Sequence, residues 1–124
     1  MLDLHRYGAK YESGKRFVLN SSLSQHNKDL ILKFDQHMQL IGVGKPRIMK
    51  YFDKITRLGI WLNKDFEQAT KEDIEKVVIS IHQRIDLAKA TKIDYNIILK
   101  RFYKWLLGHE EEYPRQVKWL KTLG

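Results

Sequence analysis

The five histidines are the first candidates for catalysis or metal binding, because imidazole can act both as a general base and as a ligand. They are His5, His26, His37, His82 and His109. No two of them stand at the spacing of a metal-binding pair, and no His-Glu-x-x-His motif occurs. The sequence therefore predicts no metal site and no bound cofactor.

Other catalytic patterns are also missing. The acidic run Glu110 to Glu112 has no second group of carboxylates or histidines to complete a site, so a solvated turn is the better interpretation. Gly42 and Gly44 are not preceded by a strand pattern and do not form a phosphate-binding loop. There is no cysteine, and no Ser-His-Asp arrangement can be nominated. We expect that this chain alone is not an enzyme.

What remains is a basic pattern on two stretches, where cations recur every three or four residues and so share one side of a helix. The first row comprises Arg47, Lys50, Lys54 and Arg57, with Lys45 just before it. The second comprises Lys89, Lys92, Asn96 and Lys100, with Tyr103 continuing the line and Thr91 next to Lys92.

Lysine and arginine neutralise DNA phosphates, and Arg47, Thr91 and Asn96 have side chains able to contact base edges in a major groove. Double-stranded DNA is therefore the predicted partner of both rows. The alternative interpretation is a pair of solvated lysine-rich faces. Tyr95 and Tyr103 are ambiguous, since each could reach a phosphate or pack at the edge of the core.

Composition agrees with a polyanionic partner but does not prove one. The net charge is +8, and the isoelectric point is about 9.7. A length of 124 residues favours one core. The absence of cysteine fits a reducing cytoplasm. No apolar run is long enough to span a bilayer, and the first residues lack the apolar centre of a signal peptide.

Helical periodicity predicts an all-α fold, a compact bundle of four main helices with short terminal helical elements. Their apolar stripes include Leu30, Ile31, Phe34, Met38 and Ile41 in the first helix; Ile48, Tyr51, Phe52, Ile55, Leu58 and Trp61 in the second; Ile74, Val77, Val78, Ile81 and Ile85 in the third; and Ile93, Ile97, Ile98, Phe102, Trp105 and Leu106 in the fourth. Phe66, between the second and third helices, is expected to fill the core from outside.

Capping residues predict where these helices begin and end. Asn27 is the expected N-cap of the first helix, with Ser24 as the alternative, and Gly42 is its predicted end. Thr70 with Asp73 resembles a capping box at the start of the third helix. The fourth helix is predicted over 88–107, and Gly108 is expected to terminate it.

The termini are predicted to be separate from this helical domain. Residues 1–22 are expected to form a flexible leader or short helix that docks through Phe17 and Leu19, and residues 23–124 the DNA-binding domain. Pro114 opens a last short helix that includes Val117. Because no terminating motif follows it, we expect the parent protein to continue beyond Gly124.

The order of these patterns resembles the N-terminal core-binding (SAM-like) domain of tyrosine recombinases, the phage-integrase family, particularly its archaeal members. The segments that carry the resemblance span about 24–121 and are NKDLILKF, GKPRIMKYFDKITRLGIWL, ATKEDIEKVV, KATKIDYNIILKRFYKWLLG and YPRQVKWLK. The resemblance implies a module that clamps one side of a recombination site. The positions that would face DNA are Lys45, Arg47 and Lys50 on the second helix, and Lys89, Thr91, Lys92, Tyr95 and Asn96 on the fourth.

The sequence departs from the family in having no identifiable catalytic set. His82 is followed three places on by Ile85 instead of arginine, and Tyr113 has no catalytic companions. The resemblance thus implies a DNA-binding module whose partners are DNA, a C-terminal catalytic domain of the same parent chain, and further copies of the protein on DNA. The competing hypothesis is a helical protein-interaction module without DNA binding. A stand-alone helix-turn-helix regulator ranks lower, because the link Arg84 to Ala90 is long.

Overall fold

The computed structural model describes residues 4–108 and 112–122; of residues 4–7 it describes only the backbone. The elements in this part of the chain are α1 (Leu4–Asn20), α2 (Gln25–Leu40), α3 (Lys45–Leu62), a 3₁₀ turn (Phe66–Gln68), α4 (Lys71–His82), α5 (Lys89–Leu107) and α6 (Arg115–Lys118). The all-α prediction is confirmed, and the four predicted main helices correspond to α2–α5. None of these described helices is both long enough and apolar enough to cross a bilayer.

The chain forms two compact units, Met1–Ile60 and Trp61–Gly124. In the first unit α1 packs on α2, and aromatic contacts join both to α3. The buried apolar residues of this unit are Tyr11, Val18, Leu23, Leu30, Ile31, Phe34, Met38, Ile48, Tyr51, Phe52, Ile55 and Leu58.

The N-terminal segment is a helix of 17 residues, longer than the short helix predicted for the leader. Among residues 8–20 of this helix, Tyr11 and Val18 are the buried apolar residues. Phe17 and Leu19, the predicted docking residues, are partly exposed instead, at 39% and 43%. Gly14 lies where a Cβ atom would come within 3.0 Å of the Phe52 ring. The missing side chain therefore allows α1 to approach α3 closely, which periodicity alone could not reveal.

A buried polar cluster ties α1 to α2. The Tyr11 hydroxyl donates to Asp35 Oδ2 at 2.6 Å, and Gln39 Nε2 donates to Asp35 Oδ1 at 3.0 Å. Burial, together with the hydrogen bond to Asp35, raises the pKa of the Tyr11 phenol above its ordinary value. The phenol therefore keeps its proton and remains a donor to the buried carboxyl group of Asp35.

Replacing Tyr11 with phenylalanine is expected to lower the free energy of unfolding by about 1–3 kcal/mol, because Asp35 Oδ2 then loses its buried donor. Urea unfolding followed by circular dichroism measures the change. Tyr113→Phe is the matched control, since that residue is only half-buried. Equal unfolding midpoints for the two variants would show that the Tyr11 hydroxyl contributes nothing.

In the second unit α6 packs on α4 and α5, which also contact each other. Phe66 fills the core as predicted: its ring meets the Phe102 ring edge-on, with centroids 4.7 Å apart. The Tyr103 hydroxyl donates to the Phe66 carbonyl oxygen at 2.6 Å. The buried apolar residues of this unit are Leu62, Phe66, Ala69, Ile74, Val77, Val78, Ile81, Tyr95, Ile98, Leu99, Phe102, Tyr103, Val117 and Leu120.

Several helix ends follow the prediction and others do not. Gly42 has the left-handed backbone expected after α2 (φ +85°), and Gly108 caps α5. Ser24, the alternative, is the N-cap of α2, so the choice of Asn27 was wrong; Asn27 is buried within the helix. Because α2 ends at Leu40, Ile41 is exposed instead of buried.

The end of α4 also differs from prediction. This helix ends at His82, so Ile85 lies in the following loop and is fully exposed instead of buried. Of the acidic patch expected after α5, His109, Glu110 and Glu111 lie outside the described residues.

The start of α4 confirms the predicted capping box. The Asp73 amide donates to Thr70 Oγ1 at 3.1 Å, and the Thr70 amide donates to Asp73 Oδ2 at 2.9 Å. Lys64 Nζ donates to the same carboxylate oxygen at 2.9 Å. The Thr70 amide, followed by the Lys64 ammonium, lowers the pKa of Asp73 to about 2. The ionised carboxylate thus holds both the helix start and the preceding loop.

This pKa predicts a specific loss of stability in acid. Because the folded-state pKa of Asp73 lies below its ordinary value of 3.8, the stabilisation is complete above about pH 4 and disappears as the pH falls towards about 2. Asp73→Asn should therefore unfold at lower urea than the native protein at about pH 5, with the difference shrinking at about pH 2. A difference that stays constant with pH would contradict the role of the charge.

Candidate nucleic-acid interface

The cations at the start of the basic row on α3 are exposed to solvent. Lys45, Arg47 and Lys50 are all exposed in the first two turns. The Gly44 carbonyl accepts from the backbone amides of Arg47 and Ile48, which fixes this end of the helix. Lys45 Nζ lies 5.0 Å from the centre of the Tyr11 ring, so α1 positions that ammonium group. Arg47 has no carboxylate partner within the described part of the chain.

The cations at the C-terminal end of the same row are less accessible to a binding partner. Arg57 donates to Asp53 Oδ1 at 3.0 Å, and its guanidinium lies 5.5 Å from the centre of the Phe17 ring. Lys54 is half-buried. The cationic surface of α3 therefore lies mainly at its N-terminal end, where the predicted DNA-facing residues are.

The second row begins with accessible cations. Lys89, the first residue of α5, is exposed, and Thr91 and Lys92 are half-buried. Lys92 Nζ donates to the His82 carbonyl oxygen at 2.9 Å, which holds its ammonium group against the end of α4. The neighbouring loop contains a carboxylate, Asp86, but Arg84 donates two hydrogen bonds to it and thereby lowers its pKa.

Two predicted DNA-contacting residues on α5 are buried instead. Tyr95 is 4% exposed, with its ring centre 5.5 Å from that of Trp61. Asn96 is 6% exposed, and its side-chain amide donates to the Lys121 carbonyl oxygen at 3.2 Å. Neither side chain can reach a base edge or phosphate without opening the core, so both assignments were wrong. Helical spacing placed them beside the lysines but could not show that Trp61 packs against Tyr95 or that the backbone at Lys121 covers Asn96.

The lysines towards the C-terminal end of α5 contact an aromatic ring of the protein itself. Lys100 Nζ lies 4.4 Å from the centre of the Tyr113 ring, and Lys104 Nζ lies 5.0 Å from it. Tyr103 is fully buried, and this burial raises the pKa of its phenol. The accessible part of the second row is therefore its beginning, at Lys89 and Lys92.

The structure also adds residues that sequence reasoning missed. Lys121 and His82 lie beside Lys89 and Lys92 around one groove of the second unit. Lys121 is 32 positions from Lys89 in the sequence, so only the packing of α6 brings them together. Among the described residues, no three His, Cys, Asp or Glu side chains are grouped as metal ligands.

The two accessible clusters belong to different units: Lys45, Arg47 and Lys50 to the first, and Lys89 and Lys92 to the second. That they contact one DNA duplex together stays a prediction. No protein-family model, no curated protein and no solved structure matches this chain.

Proposed function

We propose that this chain is a DNA-binding module that contacts duplex phosphates through the N-terminal ends of α3 and α5. The observation that supports this most directly is the exposure of cations at both helix starts, Lys45, Arg47 and Lys50 on one and Lys89 on the other. Three carboxylates are paired with other cations: Asp53 with Arg57, Asp73 with Lys64, and Asp86 with Arg84. A net charge of +8 favours the same partner.

The resemblance to tyrosine recombinases extends this proposal. The parent protein would then cut and rejoin DNA with a separate catalytic domain, self-associate on DNA, and work in the cytoplasm, while this chain holds the recombination site without a catalytic role. With Asn96 buried, Thr91 is the remaining residue of α5 among those predicted to contact base edges. We therefore propose that the isolated chain binds DNA mainly through phosphates and shows little sequence preference.

Salt dependence of DNA binding tests this proposal. Five cations lie at the two helix starts. Three to five phosphate contacts should give a log–log slope of about −3 to −5 between affinity and salt concentration. Fluorescence anisotropy with a labelled random duplex of about 20 base pairs, titrated at several salt concentrations, measures the slope. An absence of binding at low salt would refute the proposal.

The same titration distinguishes the second hypothesis, a helical protein-interaction module. Leu40 and Ile41, adjacent and exposed at the end of α2, are the observation that favours it, because a docking site for a protein needs accessible apolar area. That hypothesis predicts no change in anisotropy with the duplex at any salt concentration.

A further inference from the structure

Large aliphatic side chains are exposed in the two connections that lead into α3 and α5, residues 40–44 and 83–88. Leu40 and Ile41, where α2 ends, are 86% and 64% exposed, and Ile85 is completely exposed. Among the side chains that the structure describes, these are the three most exposed large apolar ones. Isolated apolar residues are ordinary on a surface, but here they lie in both connections that precede the cationic helix starts.

The connection between α2 and α3 is a tight turn with a fixed backbone. The Ile41 amide donates to the His37 carbonyl oxygen at 3.1 Å, and the Val43 amide donates to the Met38 carbonyl oxygen at 2.9 Å. Gly42, between them, adopts the left-handed conformation. The exposed side chains at this turn therefore stand on an ordered backbone, so a partner that buries them has little ordering cost to overcome.

The connection between α4 and α5 is held by side chains. Arg84 donates to both carboxylate oxygens of Asp86, at 3.0 and 2.7 Å, so a charge pair spans the exposed Ile85. The Arg84 guanidinium also lies 5.6 Å from the centre of the Trp61 ring. The pair compensates the carboxylate charge next to Ile85, and the ring contact fixes the pair to the second unit.

Both cationic helices begin with an exposed lysine that follows an exposed isoleucine by four positions: Lys45 after Ile41, and Lys89 after Ile85. A partner that fits both features must offer anionic groups beside apolar area. Duplex DNA does so, because its phosphates border grooves in which the stacked bases can be reached. Binding to a lipid bilayer takes a whole apolar helix face, whereas the apolar faces of these helices are buried in the two units.

We infer that the two connections insert Leu40, Ile41 and Ile85 between base pairs from the minor groove, while the lysines that follow contact the adjacent phosphates. The inference rests on the proposed function and deepens it, because it adds base contacts that the cations do not make. Aliphatic side chains used in this way partly unstack a base step and kink the duplex. The resulting preference is for deformable steps such as TA, without readout of a particular sequence.

A duplex that carries aminopurine, a fluorescent adenine analogue, at a central TA step tests the inference, because the emission of this base rises when it unstacks. Anisotropy of a dye at the duplex end measures binding in the same samples at low salt. We expect the wild-type chain to raise the aminopurine emission. Leu40→Ser with Ile41→Ser should lose part of this rise, as should Ile85→Ser, and the triple variant should lose all of it. Affinity should fall only a few-fold, because the variants also avoid the cost of unstacking.

Leu19→Ser and Ile79→Ser are the matched controls, and both should keep the rise. These residues are exposed on α1 and α4, one in each unit and outside the two connections. Binding without a rise in emission, or a rise that the triple variant retains, would overturn the inference and leave the proposed function intact. No binding by the wild-type chain would refute both.

Vesicles of phosphatidylserine and phosphatidylcholine provide a second arm for the same variants. We expect the wild-type chain and the triple variant to sediment with these vesicles to the same small extent. If the chain left the duplex stacked, sedimented with the vesicles and lost this association in the triple variant, the two connections would be membrane contacts and the inference would be wrong.

Discussion

Reversing the charge of Arg47 and Lys89 together is expected to weaken duplex binding at least roughly 60-fold at about 0.1 M salt. Each phosphate contact contributes about 0.9 logarithmic units of affinity for a tenfold drop in salt, so two lost contacts account for this factor before any repulsion. Both residues are exposed and lie at the starts of α3 and α5, so their substitution by glutamate leaves the core intact. Anisotropy titration against the random duplex gives the affinity, and circular dichroism confirms helicity.

The matched control is the double variant Lys33→Glu and Lys76→Glu. These are exposed lysines on α2 and α4, one in each unit, so both double variants lose the same positive charge overall. If binding depends on the proposed surfaces, the control should bind several-fold more tightly than the Arg47 and Lys89 variant. Equal affinities would mean that the protein attracts DNA through its net charge, without a defined interface.

Truncating Phe66 to alanine is expected to lower the free energy of unfolding by about 3–5 kcal/mol. The ring is buried in the second unit, where it meets the Phe102 ring edge-on. A loss of this size is a large part of the stability of a small domain. Urea unfolding at neutral pH measures it.

Two further variants separate the ring from the hydrogen bond at the same place. Phe66→Leu keeps most of the buried volume and should cost about 1 kcal/mol. Tyr103→Phe removes the donor to the Phe66 carbonyl and should cost about 1–3 kcal/mol. If Phe66→Ala unfolded at the same urea concentration as the native protein, the ring would not be the structural anchor of this unit.

Sequence reasoning succeeded where the determinant is local. The capping box of Thr70 and Asp73 involves residues three positions apart, and the left-handed turn at Gly42 depends on glycine itself. Phe66 could also be placed correctly, because a lone aromatic residue in a polar link has few other roles. These features require no knowledge of distant parts of the chain.

The errors arise where burial depends on distant segments. Asn96 has the spacing of the lysine row, yet the backbone at Lys121 covers it. Nothing in the sequence near Asn96 indicates this contact. Helical periodicity places Ile85 on the apolar stripe of α4. The helix ends three residues earlier, however, and Ile85 is exposed to solvent. Periodicity identifies which residues share a face; it cannot tell how long the helix continues or what covers that face.

The bond between Tyr11 and Asp35 decides how the protein can be shortened for experiments. A version that begins at residue 23, the boundary expected from sequence, would remove the phenol that donates to Asp35 Oδ2 and so break the link between α1 and α2. It would also remove Val18 and expose the side of Phe52 that faces Gly14. Crystallisation and binding studies should therefore retain the N-terminal helix, although none of the predicted DNA contacts lies on it.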